Sequence, residues 1–173
     1  IYRVSVEGGT PVAVSADRYT SEFFAAPSPD GQRLAFSARG NSAGQWWRKG
    51  HSHLDESELW ILHEGPNGKY EQVIERGAKQ GWPMWMGDGA TLLFVSDRSG
   101  NWEIYVANSD GSNASALTSN DYTDVSPSWS PDGTQIAFAS DRDGDLDIYV
   151  TDLSGSVQQV TNDDANDWAP SWG

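Results

Sequence analysis

Cysteine is absent from these 173 residues, so neither a disulfide framework nor a thiolate metal site is available. Basic residues are scarce too: 11 Lys and Arg stand against 25 Asp and Glu, a formal net charge of -14. So acidic a surface is a poor match for nucleic acid or an anionic membrane, and it suits cationic partners or divalent cations. No apolar run reaches the length that spans a bilayer, so no membrane insertion is expected. No signal-peptide pattern is visible, and the chain starts at Ile1 rather than Met. No segment carries a convincing helical period. What is present is apolar and aromatic: 37% of residues are hydrophobic and nine are Trp. That supply argues for a folded core despite the charge.

The chain repeats itself. Three segments align: Pro27–Gly31 with Arg33–Arg39, Pro83–Gly89 with Leu92–Arg98, and Pro127–Gly133 with Ile136–Arg142. Their Asp-Gly pairs begin at 30, 88 and 132, and a step of 44 between the last two is the length of a propeller blade. An Ile-Tyr-Val-like run follows each copy (Leu59–Ile61, Ile104–Val106, Ile148–Val150) and also opens the chain as Ile1–Val4. A fourth run closes each unit: Pro11–Val14, Glu71–Ile74, Ala114–Thr118 and Val157–Thr161. Asp-Gly between apolar runs supplies a tight hairpin turn. The near-continuous apolar second run is that of a strand buried on both faces. The fold class expected is therefore all-β: a β-propeller of four-stranded antiparallel blades, three full and one split. By this reading 1–22 are the end strands of the split blade and 23–81 form a blade with a loop insertion. Blades at 82–125 and 126–168 follow, and 169–173 is the first strand of the next.

The phrase Pro127-Ser128-Trp129-Ser130-Pro131-Asp132-Gly133, then Ile136-Ala137-Phe138, Ser140-Asp141-Arg142 and Ile148-Tyr149-Val150, resembles the repeat of TolB-type and tricorn-protease-type propellers. Gln45–Glu58 and Gly77–Gln80 are similar to bacterial tricorn-like proteins in particular. That resemblance implies a substrate-filtering or docking propeller whose peptidase residues lie elsewhere, and a periplasmic or extracellular location. Nothing in the chain matches the peptidase part. Three blades and a remnant do not obviously close a ring. Two readings stand: a piece of a longer protein, or a homodimer whose two chains complete one ring.

Second-to-third-strand hairpins and blade-to-blade connections open on one face of a propeller, and loops on a rigid scaffold are where partners bind. The binding candidates on that face are Trp46, Trp47, Arg48, Lys49, His51 and His53 in the insertion, with Trp102 in the next hairpin. Trp beside Arg and Lys suits an aromatic and cationic clamp for a peptide or glycan, while the plain alternative is a Trp pair capping the rim. His51 and His53, with Asp55 beside them, have a spacing compatible with a divalent metal; histidines bonded to neighbouring acids are the ordinary reading. Asp141, Asp143, Asp145 and Asp147 mimic the start of a calcium loop, but Leu146 stands where that loop requires Gly, and a solvated turn explains them as well. Cofactors are accordingly expected to be none, with the divalent metal as the alternative. Gly40–Gly44 fits a nucleophile-elbow pattern formally but has no helix after it, so no catalytic residue is assigned. Arg39, Arg98 and Arg142 recur, as do Trp85, Trp129 and Trp172, and recurrence points to structural work, the arginines pairing with acids of their own or the next blade, such as the adjacent Asp97 and Asp141. The function expected is a non-catalytic binding module for protein or peptide. An accessory propeller of a peptidase and a metal-dependent enzyme are the alternatives.

Overall fold

The computed structural model describes residues 1–15, 20–40, 57–65, 68–74 and 78–173. They form strands only: β1 (Tyr2–Arg3), β2 (Val12–Ala13), β3 (Thr20–Pro27), β4 (Arg33–Gly40), β5 (Glu58–His63), β6 (Lys69–Gln72), β7 (Gln80–Trp85), β8 (Thr91–Ser96), β9 (Glu103–Asn108), β10 (Ser115–Ala116), β11 (Asp124–Trp129), β12 (Gln135–Ser140), β13 (Asp147–Asp152) and β14 (Val157–Gln159). No described helix is long and apolar enough to cross a membrane. β3–β6, β7–β10 and β11–β14 are three four-stranded antiparallel sheets in chain order, and β1–β2 is a two-stranded one. Three full blades and the end of a fourth are thus present. The first strands β3 and β7, and β7 and β11, touch across blades, whereas no described fourth strand packs against a strand of another blade. The first strands are therefore innermost.

The second strands explain the core. In β8, Leu92 and Phe94 pack toward the first blade with Ala35, Leu59 and Ile61. Leu93 and Val95 pack the other way, with Ile136 and Phe138 of the third blade. All four are fully buried. Successive side chains of a strand point to opposite faces, so a strand sandwiched between two blades has to be apolar at every position. Burying each such side chain contributes about 1.5–3 kcal/mol.

The first strands carry a feature that the Asp-Gly repeat does not announce. Each has an irregular register, between Phe23 and Ala26, Gly81 and Met84, and Val125 and Ser128. Within each break one non-glycine residue takes a left-handed backbone: Phe24, Trp82 and Ser126, at φ of 53°, 47° and 52°. Ala169, at φ 55°, stands at the same place in the C-terminal segment, which is not paired as a strand. Two residues beyond the left-handed residue comes the carbonyl that can bridge blades. Trp85 Nε1 donates to the Ala26 carbonyl at 3.0 Å, and Trp172 Nε1 donates to the Ser128 carbonyl at 3.0 Å. Trp129 Nε1, at the equivalent position of the third blade, is buried without a partner.

Two turn types hold the hairpins. Asp30 and Asp132 each accept from the Ser two positions earlier, Ser28 and Ser130, and from backbone N–H groups after the turn. These bonds favour the carboxylate, with the Ser hydroxyl the leading cause, and hold both carboxyls below the ordinary value of 3.8. Gly111, at φ 81°, presses the third-to-fourth-strand turn of the second blade against the first: a Cβ there would sit 1.7 Å from the Val73 carbonyl oxygen.

Gly111→Ala is expected to cost about 2–4 kcal/mol in urea denaturation, because both the backbone and the neighbouring blade forbid the methyl. Gly87→Ala, in open space at an ordinary φ, is expected to stay within about 0.5 kcal/mol. The lowered carboxyls of Asp30 and Asp132 add stability that is present above their unfolded value of 3.8 and lost as pH falls through their lower folded values. Asp132→Asn is expected to lower stability near pH 7, where the carboxylate's contribution is fully present, and to converge on the parent at acid pH, so that its own loss of stability on the acid side is flatter. Urea midpoints measured across that range check it.

Candidate functional site

The loop face is organised by a device repeated in the second and third blades. A carboxylate opens the third strand and a threonine follows the fourth. Thr118 Oγ1 accepts from the Ile104 N–H at 3.0 Å and donates to Glu103 Oε2 at 2.6 Å. Thr161 Oγ1 accepts from the Ile148 N–H at 2.9 Å and donates to Asp147 Oδ1 at 2.8 Å. In the first blade the side-chain oxygen of Gln80 takes the Leu59 N–H instead, at 3.1 Å. Burial pushes the Glu103 carboxyl up, opposed by the Thr118 and Asn120 bonds and reinforced by Asp124.

Of the recurrent arginines, Arg98 and Arg142 are described and do structural work, and Arg142 pairs with an acid of its own blade other than the adjacent Asp141. Arg142 lies over the Phe138 and Tyr149 rings and pairs with the fully buried Asp124 of its own blade at 3.1 Å. Arg98 lies over Phe94 and Tyr105. Asp97 and Asp141 hold the blade connections: each accepts a backbone N–H at 2.7 Å, from Lys79 and Thr123 respectively. That work spends their carboxylates on backbone donors and leaves Asp124 to balance the guanidinium.

Trp46, Trp47, Arg48, Lys49, His51, His53 and Asp55, and the elbow pattern at 40–44 from residue 41 on, lie outside the described residues. Trp102 is described, and it belongs to an aromatic group that sequence reading did not assemble. Phe24 stacks on Trp82 with ring centroids 4.5 Å apart, Trp102 meets Trp82 edge-on at 6.4 Å, and Phe23 meets Phe24 at 5.2 Å. Phe24 and Trp82 are the two left-handed residues of neighbouring innermost strands, so the bulges aim them at each other across the blade boundary. Phe24 remains 43% exposed and the two Trp are half-buried, which leaves an open apolar patch at the loop end of the inner strands. The aligned positions Phe24, Trp82, Ser126 and Ala169 were the available signal: the first two differ from the others in being large and aromatic.

Of the four spaced aspartates, Asp143, Asp145 and Asp147 converge, with carboxylate oxygens all within 4.8 Å of one another, while Asp141 is engaged with Thr123. Asp147 is 1% exposed. Burial raises its carboxyl above the ordinary range, opposed by Thr161 and reinforced by Asp143. Asp143 is pulled the other way: burial opposes its ionisation, but bonds from Tyr149 and Gln159 outweigh it. The described histidine, His63, bonds to Glu71 at 2.9 Å across a strand pair, and no Ser–His–Asp constellation is present among the described residues.

Comparison with known proteins agrees with this architecture. The family model of the TolB beta propeller domain matches residues 55–173. No curated protein matches the chain. Among solved structures, a TolB-like protein of Agrobacterium tumefaciens superposes with a TM-score of 0.72 at 21% identity, over 91% of this chain and 55% of its own. An oligogalacturonate lyase of Vibrio parahaemolyticus gives 0.68 at 18% identity, over 92% and 46%. The tricorn protease gives 0.63 at 21% identity, over 96% and 15%. The chain thus spans about half the length of the first two, and identities this low speak for the fold alone.

Arg142→Ala is expected to destabilise the protein by about 3–5 kcal/mol, since Asp124 would be left buried and uncompensated. Adding Asp124→Asn is expected to recover part of that loss. A double-mutant cycle by chemical denaturation reads the coupling.

Proposed function

Because the chain belongs to the TolB beta propeller domain family, we propose that it is a binding module which takes up a protein or peptide partner on its loop face. The observation that carries this reading is the open aromatic patch of Phe24, Trp82 and Trp102 at the inner end of that face. Aromatic side chains held rigid on strands offer contact area at little entropic cost, the character of a binding hot spot. The loops after the second and fourth strands carry Asp121, Asp143, Asp145, Asp163 and Asp164, while Arg98 and Arg142 are folded over their own blades' rings. The partner this favours is an extended segment with basic and apolar side chains, drawn in by charge and held by the rings. By resemblance the setting is periplasmic or extracellular.

A second reading has its own support, since the tricorn protease is among the structural neighbours. In it the propeller is the accessory, substrate-admitting part of a peptidase. The same patch would then meet the substrate peptide, so both readings share the recognition step and differ in what is attached.

Selection from a displayed peptide library is expected to yield convergent basic, aromatic-containing sequences. Their affinity should fall with ionic strength and drop by about 2 kcal/mol or more on Trp102→Ala or Trp82→Gly. Glycine accepts the left-handed backbone of that bulge, so the second variant should keep the fold. Non-convergent selections, or binding indifferent to both variants, would reject the proposal.

A further inference from the structure

Two equivalent places in the second and third blades differ in the groups that meet at the hairpin tip: Ser99, Asn101 and Glu103 in the second, Asp143, Asp145 and Asp147 in the third. In the second blade the Asn101 side-chain nitrogen sits among oxygens. It donates to Glu103 Oε1 at 3.1 Å, to the Asn120 carbonyl at 2.9 Å and to the Tyr122 carbonyl. The register of the third blade is the same. The Ala165 N–H reaches Asp163 Oδ1 at 2.8 Å as the Tyr122 N–H reaches Asn120 Oδ1 at 2.7 Å. The Asp167 N–H bonds to the Leu146 carbonyl as the Asp124 N–H bonds to that of Trp102. In this register Asp145 replaces Asn101 and Asp147 replaces Glu103. A donor has been exchanged for an acceptor, and the oxygens around it have lost the nitrogen that held them together. The consequence is visible: Asp145 Oδ2 and Asp147 Oδ2 are both buried with no hydrogen-bond partner, although Asp147 as a whole is 1% exposed.

A buried carboxylate oxygen without a donor is costly, and two in one place more so. We propose that this cluster of Asp143, Asp145 and Asp147 is a calcium site, the cation standing in the third blade where the Asn101 amide stands in the second. The donors are all oxygen, which selects a hard cation over zinc or copper. They come from one irregular turn rather than a rigid octahedral cage, which favours calcium over magnesium. The carbonyls of Asp163 and Ala165, the counterparts of those that Asn101 gathers, are the natural further ligands. The role is structural: the cation would tie the hairpin at 141–147 to the connection at 162–167, as Asn101 ties its own hairpin to 120–122.

The test uses the whole chain in EDTA, then in Ca²⁺ or Mg²⁺ at constant ionic strength. Calorimetric titration is expected to find one saturable Ca²⁺ site with a dissociation constant of roughly 10⁻⁴ to 10⁻³ M or tighter, and Tm should rise with Ca²⁺ more than with equal Mg²⁺. The decisive variant is Asp145→Asn, which recreates the second blade's amide. It should raise the Tm in EDTA above that of the parent and weaken Ca²⁺ binding by about tenfold or more. Asn101→Ala, in the other blade, should leave the Ca²⁺ affinity unchanged. Absence of a Ca²⁺-specific site in the parent, or unaltered Ca²⁺ affinity in Asp145→Asn, overturns the proposal.

Discussion

Everything in this fold follows from strands that have no solvent face. Because β8 and its counterparts bury alternate side chains in opposite neighbours, a blade without a blade on each side exposes half its core. Stability therefore resides at blade boundaries rather than within sheets. The hydrogen-bonded ladders fix each blade's internal register, but the apolar residues bind sheet to sheet. The tight turn at Gly111, set against Val73, belongs to the same requirement, since a blade boundary without a gap leaves no room for one more carbon.

Much of this was legible in the residues. Asp-Gly pairs between apolar runs marked hairpins that the structure places where Ser28 and Ser130 clasp Asp30 and Asp132. The continuous Leu-Leu-Phe-Val run announced a strand buried twice over, and the recurrence of Trp85 and Trp172 announced packing between blades. The left-handed bulges were not legible. Phe, Trp, Ser and Ala carry no preference for positive φ, and three of the four precede Pro, which ordinarily pushes a residue toward extended backbone. Tertiary context imposes that conformation, so the meeting of Phe24 with Trp82 could not be read from either strand alone. Arg142 does find an acid of its own blade, but it is Asp124 rather than its chain neighbour Asp141. Asp141 is taken by the backbone instead, accepting the Thr123 N–H.

A repeated scaffold makes departures from the repeat informative. Positions that serve the blade recur: an acid before the third strand, a threonine after the fourth, an arginine laid over two rings. Positions that differ between otherwise superposable places have been released from that duty. Large rings at Phe24 and Trp82 against small residues at Ser126 and Ala169 are one such departure, and carboxylate against amide at Asp145 and Asn101 is another. The candidate binding patch and the candidate cation site both lie where the chain departs from its own repeat.

The indole bonds have a mechanical corollary. Four successive joints between blades pass the position held by Pro27, Trp85, Trp129 and Trp172, and only the second and fourth of these are riveted to the neighbouring inner strand. Rivets thus stand at every other joint, and the seam between them, at the Trp129 joint, is held by the packing of Leu93 and Val95 against Ile136 and Phe138. Phe24 and Trp82 straddle a riveted joint, so the rings keep their mutual pose, while Asp145 and Asp147 ride on the far side of the seam. Any flexing of the arc would then change the distance from the aromatic surface to the acidic hairpin without disturbing either one.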